Sequence, residues 1–245
     1  MEEQVIIQSR DSVSIHGIKN TPADSAGAGL IIFVHGFTGN KNTRLIFNTK
    51  KFFPKKGYDT YRFDLYNTSK DARDFLDTSV RQNSQDIEDV ISYFKSTYKK
   101  VYLVGHSLAI HAFLMADLQK IDAVIFWDGS YSTQIHKSVI WKDFIFNKEA
   151  DAYVMPGFLS ILVGKKLYTE LQEFPNSVDL ISKIKRPIKI IVASDGLCVD
   201  AGKDYFKHAH SPKDFCIIHG ASHNFDEGET EEELYKATLD WVKKF

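Results

Sequence analysis

The chain has 245 residues, with 31 Lys and Arg against 32 Asp and Glu and a formal charge of -1. Acidic and basic residues are mixed along it, which gives no support to a nucleic-acid or anionic-membrane role. The length suits one large α/β domain or two small ones, and it is enough to bury a sizeable core.

The two cysteines, Cys198 and Cys216, form no framework of paired spacings, so a reduced, cytoplasmic setting is expected. The start, MEEQVIIQSRDSVSIHG, carries acid early and has no long apolar stretch of the kind a signal peptide needs. No apolar run approaches the roughly 20 residues that span a bilayer.

In chain order, QVIIQS and SVSIHGI are short β-prone runs joined by the turn-prone Ser9-Arg10-Asp11, which predicts a hairpin. Asn20 to Gly29 reads as a loop. Leu30–Val34 (LIIFV) is a continuous apolar run suited to a strand buried on both faces. A helix is expected over Thr43 to Lys55, then a strand over Tyr58–Phe63. Val80 to Tyr98 places Ile87, Val90, Ile91 and Phe94 at helical spacing. Further strands are expected at Val101–Val104, Ala123–Trp127, Ile188–Ala193 and Phe215–Ile218. A helix follows Ser107, and an amphipathic helix over Glu229 to Lys244 closes the chain.

Alternating strands and helices imply βαβ crossovers and a mostly parallel sheet. Asp128 to about Lys185 breaks the alternation and is rich in large apolar groups: Tyr131, Ile135, Trp141, Phe144, Phe146, Tyr153, Phe158, Leu162, Tyr168 and Phe174. That predicts an α/β core over 1–127 and 186–245, with 128–185 inserted as a cap over the strand C-terminal ends.

The segment VYLVGHSLAIHAFLMA, Val101 to Ala116, carries the chemistry. An apolar strand meets Gly105-His106-Ser107-Leu108-Ala109 and passes straight into a helix. A serine at such an apex has its hydroxyl pushed out of the sheet, as in the nucleophile elbow of serine hydrolases. Ala109 stands where glycine is more usual. A serine needs a base in reach and an acid to orient that base. Ser194-Asp195-Gly196 follows the Ile188–Ala193 strand, and Gly220-Ala221-Ser222-His223 follows the last strand. The order Ser107, Asp195, His223 is that of the α/β-hydrolases, at the sheet edge where open α/β folds bind ligands.

Each role has a rival. Asp128, after the Ala123–Trp127 strand, is a second candidate for the acid. His219 lies at a strand end and reads as structural. Asp200 reads as a helix cap, and His106 as a group that packs or hydrogen-bonds under the elbow. His208 and His210 read as solvated. Two backbone amides are expected to hold an oxyanion. One is that of Leu108, after the nucleophile. The other is that of Phe37, in the loop His35-Gly36-Phe37-Thr38-Gly39-Asn40. No cluster has convincing metal-ligand spacing, so neither a metal nor another cofactor is expected.

These residues resemble the α/β-hydrolase superfamily over nearly the whole chain, and most of all the small bacterial feruloyl or cinnamoyl esterases. FVHGFTGNKN resembles that group's oxyanion loop, VYLVGHSLA its elbow, IKIIVASDG its acid strand and HGASHNF its histidine loop. VGKKLYTELQEFPNSVDLISKIKRP resembles its join of cap to core. Ala109-Ile110 and Asp64-Leu65-Tyr66-Asn67 depart from the group's pattern. The resemblance implies a serine esterase acting on a small or medium carboxylic ester. The partner would be that small molecule, not a nucleic acid or a membrane, and the chain a monomer or homodimer. Thioester, amide or lactone cleavage would use the same residues, and a catalytically silent ligand-binding scaffold is the reading of another class.

Overall fold

The computed structural model describes residues 1–22, 27–131, 143–157 and 160–245. Strands β1 (Glu2–Gln8) and β2 (Ser14–Asn20) pair antiparallel as the expected hairpin. Then come β3 (Leu30–Val34), β4 (Asp59–Phe63), β5 (Val101–His106) and β6 (Ala123–Trp127). Three short strands, β7 (Ile145–Asn147), β8 (Ala152–Met155) and β9 (Ile161–Gly164), form a separate antiparallel sheet. β10 (Ile188–Ala193) and β11 (Lys213–Ile218) return to the main sheet. Its order is β1-β2-β4-β3-β5-β6-β10-β11, with β4 to β11 parallel and the first two strands antiparallel.

The central strands are apolar throughout because each serves two cores. Leu30, Ile32 and Val34 of β3 face one layer, with Leu103 of β5 and Val124 and Phe126 of β6. Ile31 and Phe33 face the other, with Val104, Ile125 and Trp127. The first layer holds helices α3 (Val80–Lys95) and α4 (Ala109–Met115), whose Ile87, Ile91, Ile110 and Phe113 are buried there. The second holds α1 (Arg44–Phe47) and α2 (Thr49–Phe52), together with the C-terminal helix described below.

The helix expected over 43–55 is two short helices and a 3₁₀ turn, Pro54–Lys56, closed by Gly57 at φ 87°. Thr49 donates its hydroxyl back to the Ile46 carbonyl at 2.7 Å, a bond that competes with the helix ladder. Pro54 has no N–H with which to continue it. The helix starting at Val80 is capped by the Ser79 hydroxyl, which accepts from the Gln82 N–H at 3.1 Å.

Between β6 and β10 lie the small sheet, α5 (Lys165–Gln172) and α6 (Ser177–Ile181). Of the apolar residues expected in this insertion, Ile135, Trp141 and Phe158 lie outside the described residues. Tyr153 and Tyr168 stack with centroids 3.7 Å apart. From Val163 on, the chain packs into the first-layer core through Leu167, Leu171 and Ile181. Gly164 makes that approach possible: a Cβ there would lie 1.8 Å from the Leu76 carbonyl oxygen. The remaining helices are α7 (Val199–His208) and α8 (Thr230–Val242). α8 lies in the second layer, where its Thr238 accepts the Trp127 indole N–H at 2.8 Å.

Candidate active site

β5 ends at His106 and the chain turns at Ser107, whose φ of +56° is left-handed, a conformation that costs a non-glycine residue about 1 kcal/mol or more. The turn is held from three sides. The Ser107 N–H donates to the Trp127 carbonyl at 3.0 Å, and the Ser107 carbonyl accepts from Ile110 at 3.2 Å and Ser130 at 3.3 Å. Small residues are needed around it. A Cβ on Gly105 would sit 2.5 Å from the Phe113 ring, and one on Gly36 would sit 2.9 Å from the Ser107 Cβ. Ala109 is buried and its methyl fits where glycine was the more usual residue.

The loop after β11 brings His223 over the turn. Its Nε2 lies 2.8 Å from Ser107 Oγ and its Nδ1 lies 2.6 Å from Asp128 Oδ2. Serine, imidazole and carboxylate are thus one hydrogen-bonded chain. Asp128 is wholly buried, at φ +41° after β6. Its second oxygen, Oδ1, accepts the Ala193 N–H at 3.0 Å, and its own N–H donates to the Ile191 carbonyl at 2.7 Å. Strand β10 therefore holds the carboxylate through its backbone.

Asp195, expected as the acid, is not the carboxylate at His223. It is exposed, and its Oδ1 accepts the Ser194 hydroxyl at 2.7 Å. Its N–H is tied to the Ala221 carbonyl at 2.9 Å. The turn after β10 is tight, with Gly196 N–H bonded to the Ala193 carbonyl at 3.2 Å, and Gly196 itself comes up against the carboxylate of Asp128. The loop backs Asp128 with its glycine and leaves Asp195 outside.

His106 packs under the Ser107 turn and also ties down the loop that carries His223. Its Nε2–H donates to the His223 carbonyl at 2.9 Å, and the two rings lie 4.6 Å apart. Burial, then the neighbouring His223, pulls its pKa down to about 4, so the ring is neutral at pH 7. His219 is exposed. His208 and His210 bond to the Asp204 and Ser182 carbonyls, at 2.9 and 2.6 Å.

Phe37 and Leu108, the two residues expected to supply oxyanion amides, line one narrow cleft together with Gly36, Ala109 and Leu167. The loop that carries Phe37 is braced by His35. That buried imidazole donates Nδ1–H to the Gly36 carbonyl at 2.9 Å and accepts the Leu65 N–H on Nε2 at 3.1 Å. Burial holds its pKa below the ordinary histidine value, which keeps the accepting nitrogen unprotonated. The bracing role of His35 was not evident in the sequence; its position directly before Gly36, in the loop expected to supply an oxyanion amide, was the available signal.

Among the described residues, the donors that could hold a metal are those of Asp128, Cys198 and His223, all within 4.8 Å of one another. Two of them are the pair bonded at 2.6 Å, so a cation would have to displace the imidazole proton between them. Burial, then Asp128, pushes the Cys198 thiol far up, which keeps it protonated. No described helix is long and apolar enough to cross a membrane.

The order and direction of the strands, with the Ser107 turn after β5 and the His223 loop after β11, define one architecture. The chain has the α/β-hydrolase fold. No protein-family model matches it, and no curated protein does. Solved structures match over nearly their full length. Est1E from Butyrivibrio proteoclasticus, with ferulic acid bound, superposes at a TM-score of 0.78 with 18% identity, over 98% of this chain and 99% of that one. The esterase domain of a Rhodothermus marinus protein gives 0.74 and 16%, over 100% and 98%. The dienelactone hydrolase of Anabaena variabilis gives 0.72 and 16%, over 100% and 98%.

Proposed function

We propose that this α/β-hydrolase-fold protein is a serine hydrolase that cleaves a small or medium carboxylic ester through an acyl-enzyme. The observation that carries this reading is the bonded chain Ser107–His223–Asp128 on a left-handed serine turn. His223 takes the Ser107 proton as Oγ attacks the acyl carbon. Asp128 holds the imidazole with Nδ1–H toward itself and stabilises the imidazolium that forms. The amides of Phe37 and Leu108 stabilise the tetrahedral oxyanion. His223 then returns the proton to the departing alcohol, and water repeats the cycle on the acyl-enzyme. In this reading the insertion between β6 and β10 is the cap, and its Leu167 closes the cleft beside the oxyanion amides. That the Rhodothermus domain is an esterase domain, and that Est1E binds the carboxylic acid ferulic acid, supports the ester as substrate. A thioester, amide or lactone would use the same groups.

Hydrolysis of p-nitrophenyl esters of increasing acyl length, with Ser107→Ala beside the wild type, decides the matter. Turnover that falls at least a thousandfold in Ser107→Ala, with fluorophosphonate labelling of the wild type alone, is the expected result. Equal turnover by both proteins would refute the mechanism. Absence of labelling would favour a silent scaffold.

A further inference from the structure

The Phe37 N–H proposed to hold the oxyanion sits on the peptide that joins Phe37 to Gly36. A Cβ at position 36 would lie 2.9 Å from the Ser107 Cβ, so glycine is the residue that fits there. Glycine also gives the backbone its widest conformational range, so the residue that makes room for the nucleophile leaves the next amide free to rotate away. The peptide is planar and trans, which puts the Gly36 carbonyl and the Phe37 N–H at opposite ends of one plane. Whatever pins that carbonyl aims the N–H.

The Gly36 oxygen accepts the Gly39 N–H at 3.1 Å, which closes the turn, and the His35 Nδ1–H at 2.9 Å. The sense of the His35 bond is fixed by its other nitrogen. The Leu65 N–H can only donate, so Nε2 is the accepting nitrogen and the single proton of the neutral ring is on Nδ1. The Tyr66 ring packs nearly at right angles to the imidazole, with centroids 5.2 Å apart. Leu65 and Tyr66 follow Asp64, whose carboxylate accepts the Lys41 N–H at 2.8 Å and pairs with Lys41 Nζ, at the far end of the same loop. The three residues after β4 therefore hold the loop at both ends, and the imidazole of His35 is the link between them and the Gly36 carbonyl.

We propose that His35 is a positioning residue for the reaction: by donating to the Gly36 carbonyl it locks the Gly36–Phe37 peptide with its N–H turned to the oxyanion. The inference rests on the serine-hydrolase reading above. The lock acts in the transition state, when negative charge collects on the substrate oxygen, so its loss should appear in kcat and leave KM in place.

The experiment separates the two ring nitrogens. Asn places an amide nitrogen where Nδ1 stands and can still donate to Gly36, whereas Gln reaches the place of Nε2 and can still accept from Leu65. With p-nitrophenyl butyrate, His35→Gln should lose about 10- to 100-fold in kcat with little change in KM, approaching the cost of removing an oxyanion donor outright. His35→Asn should recover most of that loss. Trifluoromethyl propyl ketone supplies a second readout: Ser107 Oγ adds to its carbonyl carbon, His223 takes the proton, and the ketone oxygen becomes the anion. Its inhibition constant should weaken across the variants in step with kcat/KM. Equal kcat losses in the two variants, or losses with inhibitor affinity unchanged, overturn the proposal while the esterase reading stands. Histidine nitrogen NMR of the unsubstituted protein decides it if the variants fail to fold: the Nδ1–H tautomer at His35 is expected, and the Nε2–H tautomer overturns the lock. If no ester shows Ser107-dependent turnover, the esterase reading itself falls and the inference with it.

Discussion

Replacing Asp128 by asparagine removes one charge and almost no volume, yet the hydrogen-bond pattern around it reverses the base. The Ala193 N–H needs an acceptor at 3.0 Å, so the new amide must place its oxygen there. Its NH₂ then faces His223 Nδ1 across the 2.6 Å contact and donates to it. The imidazole is forced into the tautomer with hydrogen on Nε2, 2.8 Å from Ser107 Oγ, where an acceptor is required. The loss should be about 10³- to 10⁴-fold in kcat, or roughly 4–5 kcal/mol of transition-state stabilisation. Asp195→Asn touches an exposed side chain bonded to Ser194 and should change kcat less than threefold. Steady-state hydrolysis of p-nitrophenyl butyrate by both variants is the assay. A thousandfold loss in Asp195→Asn with activity kept in Asp128→Asn would refute the reasoning.

His106 gives a pH prediction. It stays neutral in the folded protein down to about pH 4, whereas in the unfolded chain it titrates near 6.5. The unfolded state binds more protons between those values, so the contribution of this group to stability is full above pH 6.5 and is lost as the pH drops toward 4, by up to about 1.4 kcal/mol per unit. Urea unfolding at pH 7 and 4.5 should show a smaller loss in His106→Gln, and equal losses would contradict the assignment. Gly164→Ala should cost at least 2 kcal/mol, read as a fall in Tm, because its methyl meets the Leu76 carbonyl. Thr238→Val leaves the buried Trp127 indole N–H without its acceptor and should cost about 1–3 kcal/mol in denaturant unfolding, with kcat little changed.

The central strands were legible because burial on both faces writes itself as unbroken apolar runs: LIIFV, AVIFW and IKIIVA match β3, β6 and β10 residue for residue. β7, β8 and β9 were not. They are three or four residues long and mostly exposed or half-exposed, too short to show a period of two. The serine turn and the histidine loop could be read from glycine spacing and chain order.

The choice between carboxylates could not. Asp128 and Asp195 are both followed by glycine, and both end neighbouring parallel strands at the same sheet edge. What separates them is direction. Asp128 turns inward at a positive φ beneath the Ala193 amide, while Asp195 has a serine hydroxyl next door to capture it. Side-chain direction at a strand end depends on tertiary contacts that no periodicity records.

The position of that carboxylate on β6 divides labour between two loops in a way that bears on how such a protein can diverge. The loop after β10 lends Asp128 only a backbone amide and the bare face of a glycine, both indifferent to side-chain identity. Beyond Gly196 it presents Leu197, which is 84% exposed. Substitutions at that exposed tip are a route by which selection or an engineer can vary the rim of the site while the hydrogen-bonded Ser107–His223–Asp128 chain is kept.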